Sequence, residues 1–155
     1  MGLTIGHLHI RRGALINAPP VRVWREFSTE EQIRAWFGQG HTLHTFEPKL
    51  GGRIEMSVEH DFGSGLERRR YGGRVVLWEA GSEVSAEINW VKPHDWAVPM
   101  MWTIRLTPLY DGSLVEIFHH GFERLGRNAG DELEGYEEGW TNRHLKALRK
   151  IAEAK

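Results

Sequence analysis

Three side chains combine a titratable group with surroundings that read as buried: His119 in an alternating strand pattern, and Glu137 and His144 on one stripe of a C-terminal helical pattern. A neutral imidazole, with a reference pKa of about 6.5, can take or give a proton or orient a ligand carbonyl. Glu137 shares the stripe of His144 and can serve as its partner. The same pattern also fits imidazoles that only bond a backbone carbonyl or a Tyr inside a core. The residues alone leave both readings open.

An inward aromatic set accompanies these groups: Trp36, Trp90, Trp102 and Trp140, with Met56 and Met100 in the same pattern. Seven Trp in 155 residues is high. Burying one large apolar side chain contributes on the order of 1.5–3 kcal/mol. Such rings therefore either fill a core or line a pocket for a flat or aliphatic ligand, with Met adapting its shape.

Other chemistries find less support. Nine His invite a metal, with His41, His44, His60, His94, His119, His120 and His144 spread over several elements. Adjacent His119 and His120 point to opposite faces of a strand, and His41-x-x-His44 lacks the i, i+4 spacing of helical zinc pairs. With no Cys, a thiolate site or nucleophile is excluded. We expect no metal and no other cofactor. Gly63-Ser64-Gly65 lacks the Gly-Lys-Ser/Thr of a phosphate loop. Arg68-Arg69-Arg70 could meet an anionic head group, but a strand splits them between two faces, and a solvated outer row is expected.

Composition narrows the setting. Twenty basic and 21 acidic side chains give a net charge of −1, which removes the field that would draw nucleic acid or an anionic membrane. The start MGLTIGHLHIRRGALI reads as neither a signal peptide nor a span, and membrane insertion is not expected. A cytoplasmic protein with a single domain over residues 1–155 is the expectation.

The elements that must position these residues follow from periodicity. A first strand ending at Ile16 runs into Asn17-Ala18-Pro19-Pro20, where the prolines open a short helix with Val23, Trp24 and Phe27 on its apolar side. Ser28 with Glu31, or Thr29 with Gln32, then forms a capping box for a second short helix reaching about Phe37. From Thr42 the period becomes two, giving about six antiparallel strands with Ile54, Met56, Val58, then Val84, Ala86, Ile88, Trp90, then Met100, Trp102, Ile104 and Leu106 on one face. A helix over 131–155 carries Leu133, Tyr136, Trp140, His144, Ala147, Leu148 and Ile151 on its stripe. Only this helix is long enough to cover the sheet's apolar face.

In order, these elements resemble the START and birch-pollen-allergen-like (SRPBCC) superfamily, in particular the family named after the activator of the heat-shock protein 90 ATPase. The resemblance rests on Ala18-Pro19 with Val23-Trp24 and Phe27, Trp36-Phe37, Gly51-Gly52-Arg53, Gly73-Arg74-Val75, His119-x-Gly121-Phe122, and Gly139-Trp140 with Leu145 and Leu148. It implies an α+β helix-grip fold, a curved antiparallel sheet of six to seven strands wrapped around a long C-terminal helix, with two short helices after the first strand. It also implies a hydrophobic cavity between sheet and helix, which the inward faces read above would line with Trp36, Met56, Trp90, Trp102, His119, Trp140 and His144. A hydrophobic or amphipathic small molecule is the expected partner. The alternatives are a general acid/base enzyme of the cyclase or dehydratase type using His119, Glu137 and His144, and a co-chaperone-like module. A homodimer is compatible with all three.

Overall fold

In a computed structural model of the chain, the residues described are 9–128, 136 and 142–154. Seven antiparallel strands form one curled sheet: β1 (Ile10–Ile16), β2 (Thr42–Phe46), β3 (Arg53–Asp61), β4 (Leu66–Glu79), β5 (Glu83–Trp90), β6 (Met100–Leu109) and β7 (Gly112–His120). Their spatial order is β1-β7-β6-β5-β4-β3-β2, a meander whose first strand returns beside the last. Helices α1 (Pro20–Trp24) and α2 (Glu30–Arg34) follow β1, and α3 (Arg143–Ala152) closes the described chain. This is the expected α+β helix-grip arrangement.

Local chemistry explains the short helices. Pro20 occupies the first position of α1, where a missing N–H costs nothing. Of the two overlapping capping boxes, Thr29 is the one used: its hydroxyl accepts the Gln32 N–H at 3.1 Å. The helix that follows is shorter than its pattern predicts. It ends at Arg34, with Trp36 and Phe37 buried in the turn beyond it.

Strand alternation puts two cross-strand rows on the concave face. One runs Trp90–Tyr71–Met56–Leu43, the other His119–Trp102–Ala86–Val75. A bulge between Leu43 and Thr45 lets both Leu43 and Phe46 face inward, although their spacing breaks strict alternation. At Gly73 a Cβ would lie 1.7 Å from the Glu87 carbonyl oxygen, so β4 and β5 approach there as only glycine permits.

Two apolar clusters line the concave side. The larger joins α1, α2 and α3 to the sheet through Val23, Phe27, Trp36, Leu145 and Leu148 among others. The smaller gathers Ile10, Met100 and Phe122, with Trp96, Leu125 and Tyr136 against it. Leu145, Leu148 and Ala152 form the buried line of α3, with His144 at its first turn. Leu133, Glu137 and Trp140 lie outside the described residues.

Candidate functional site

At the seam between the two clusters, five aromatic side chains close a circuit. Tyr71 meets Trp102 with ring centroids 6.2 Å apart, Trp102 meets His119 at 6.4 Å, and His119 meets Tyr136 at 5.1 Å. Tyr136 accepts the Trp90 indole N–H at 2.7 Å, and Trp90 meets Tyr71 at 5.1 Å. Every ring contact in the circuit is edge-to-face, the favoured geometry for aromatic quadrupoles. Trp96 packs against both Trp90 and Tyr136, and Phe122 lies 4.8 Å from His119.

The titratable members are held neutral. Burial pushes His119 down to about 3, with His120 adding a smaller effect. His144 is pushed down to about 4, by burial first and then by the charge of Arg143 and by His41. His41 is lowered by burial, Arg143 and His60, while burial raises the Tyr71 phenol. Near neutral pH the site therefore carries these imidazoles and the Tyr71 phenol as uncharged hydrogen-bonding groups.

A four-residue turn connects the two walls. The His41 N–H bonds the Gly38 carbonyl at 2.8 Å, and Gly40, at φ 87°, occupies the position where a type II turn requires positive φ. From this turn the Gln39 N–H donates to His144 Nδ1 at 3.1 Å, which fixes the neutral imidazole as the Nε2–H tautomer. His41 Nδ1 meets the Tyr71 hydroxyl on β4.

The expected lining residues separate into groups. Trp90, Trp102 and His119 share the circuit. His144 reaches it through Phe37, whose ring is 5.7 Å from His144 and 5.1 Å from Trp102. Met56 lies beneath Gly38, its Cε 2.8 Å from where a Cβ on that glycine would stand. Trp36 stands behind Phe37, fully enclosed, with its indole N–H on the Glu26 carbonyl at 3.0 Å. Glu137 and Trp140 fall outside the described residues.

Sequence reasoning did not single out Tyr71, or His41 as its partner. The signal was present in the frame Glu67, Arg69, Tyr71, Gly73, Val75, which alternation sends to the concave face. That frame also divides the arginine run. Arg69 stacks 3.8 Å over Phe62 and pairs with Glu67 at 3.0 Å, while Arg68 bonds Ser57 on the other face. Ser57 accepts from Arg68 Nε and Nη2 and contacts His44 Nε2 at 2.8 Å, so its bonding directions are all used and it is no exposed nucleophile. Among the described residues no group of three or more His, Cys, Asp or Glu is placed to hold a metal ion. Nor is any helix among them long and apolar enough to cross a membrane.

Residues 17–153 match the family described as Activator of Hsp90 ATPase homolog 1-like protein. The chain belongs to this family. No curated protein matches it in sequence. Solved structures similar to this family member include a protein from Chromobacterium violaceum, 24% identical, with a TM-score of 0.64 over 95% of this chain and 99% of that one. The Aha1 dimer from Colwellia psychrerythraea is 15% identical, with a TM-score of 0.62 over 94% and 96%. DynU16, a protein of the dynemicin biosynthetic locus, is 18% identical, with a TM-score of 0.66 over 96% of this chain and 48% of that one. At these identities the likeness is one of fold.

Proposed function

We propose that the protein binds a hydrophobic or amphipathic small molecule between the concave face of its sheet and α3. The circuit of Tyr71, Trp102, His119, Tyr136 and Trp90 carries this reading. Four strands, β4 to β7, and the segment ahead of α3 each contribute one side chain, so the arrangement depends on the pairing of those strands. Edge-to-face contacts fix the orientation of each ring, which suits a rigid wall for an apolar guest. The neutral Tyr71 phenol and the His119 and His144 imidazoles add the few polar contacts that orient a ligand in an apolar site. Native mass spectrometry of gently purified protein is the test. A retained small molecule, displaced on denaturation, is expected. Protein of bare chain mass that also fails to bind hydrophobic fluorophores saturably would refute the reading.

A second reading is general acid/base catalysis through His119, Glu137 and His144. It draws on one observation: the Gln39 amide leaves His144 with its proton on Nε2, a defined donor. Here His144→Ala or His119→Ala would abolish turnover while the fold persists. Equal losses of stability and binding would favour a structural role.

A further inference from the structure

We infer that the turn Gly38–His41 is the gate of this site, a strap latched to α3 through His144 and to β4 through Tyr71, which swings aside to admit the ligand. The inference rests on the ligand-binding reading above.

Access requires a moving part. Met56, Tyr71, Trp102 and His119 are all buried, so a ligand reaching them must displace something. The strap lies between α2 and β2, outside every strand of the sheet. Its outward links are the Gln39 N–H to His144 Nδ1, at 3.1 Å, and the contact of His41 Nδ1 with the Tyr71 hydroxyl. Both are single hydrogen bonds to side chains, which open more readily than a paired strand.

The ends of the strap are built as pivots. Phe37 and Leu43 anchor it in the core on either side, whereas Gly40 is exposed. Gly38 and Gly40 have φ of 79° and 87°, and glycine crosses this region of backbone space without a Cβ penalty. Gly38 rests directly on Met56, and Gly40 lies against the Arg143 guanidinium, where a Cβ would come within 3.3 Å of Nη1. Lifting the strap would therefore uncover the Met56–Tyr71 middle of the concave row and the first turn of α3 together.

Stopped-flow binding of the hydrophobic fluorophore N-phenyl-1-naphthylamine tests this. His41→Ala removes the sheet latch and should raise association and release rates by the same factor, roughly 2- to 10-fold, leaving Kd unchanged. His41→Asn restores an acceptor near the Nδ1 position and should return both rates towards wild type. Unchanged rates in His41→Ala, or a change in only one of them, would overturn the gate. Hydrogen exchange at the Gln39 amide of the unaltered protein gives an independent measure. Exchange through local opening, faster than at Val75 in the β4 ladder, is expected, and exchange only on global unfolding would also overturn the gate. If the unaltered protein fails to bind the fluorophore saturably, the ligand-binding reading falls, and Gln39 exchange alone decides whether the strap opens.

Discussion

The indole N–H of Trp90 donates to the Tyr136 hydroxyl at 2.7 Å, tying the end of β5 to the segment that precedes α3. Tyr136→Phe removes the acceptor and keeps the ring. We expect a loss of about 1 kcal/mol in urea unfolding, with a shift in Trp90 emission. An unchanged midpoint would mean that the hydrogen bond adds nothing to the join.

Trp36 and Trp90 should respond differently to truncation. Trp36 is fully enclosed and its N–H is satisfied by the Glu26 carbonyl, so Trp36→Ala should cost about 3–5 kcal/mol. Trp90 is half-buried, and Trp90→Ala should cost clearly less while abolishing fluorophore binding. Comparable losses of stability from the two variants would count against a separate lining role for Trp90.

Acid should weaken the fold through His119 and His144. Both lie well below the ordinary 6.5, at about 3 and about 4, chiefly because burial disfavours the charged ring. Below pH 6.5 the unfolded chain takes up these protons while the folded chain resists. Their contribution is thus full above about pH 6.5 and is lost progressively as pH falls towards 4 and then 3. Each group can steepen the dependence by up to about 1.4 kcal/mol per pH unit. Urea midpoints measured from pH 7 to pH 4 should fall, and His119→Phe should flatten the slope. An identical slope in that variant would remove His119 from the account.

Gly73→Ala tests the close approach of β4 to β5. Its Cβ would meet the Glu87 carbonyl oxygen at 1.7 Å, and backbone cannot yield as a flexible side chain does. The loss should reach or exceed the ~1–3 kcal/mol of ordinary overpacking. Gly51→Ala is the control: it has φ 77° and open space around its Cβ position, so only backbone strain of about 1–2 kcal/mol is expected. Thermal melts of the two variants give the comparison.

Much of the fold was legible because its signals are local. Alternation from Ile54 to Val58 and from Met100 to Leu106 marks strands whatever they pair with, and Thr29 with Gln32 marks a helix start without knowledge of the core. The opposite destinations of His119 and His120 also follow from a period of two: His119 is buried in the circuit, while His120 bonds Thr103 across β6 on the other face. The Tyr71–His41 contact was not legible in this way. It joins a strand to a turn 30 residues away, and the turn's position depends on two glycines whose φ values periodicity does not encode. Trp36 shows the converse limit: its spacing marks it as inward, but spacing cannot tell a wall from the packing behind that wall.

Pairing of the first strand with the last has a consequence for how the molecule comes into being. Strands β2 to β7 can zip up hairpin by hairpin, each step closing a short loop. Joining Ile10 to His119 closes the longest loop in the sheet and waits until β7 exists. During synthesis β1 would thus wait without its sheet partner, and the growing sheet would stand open along β6, until β7 emerges.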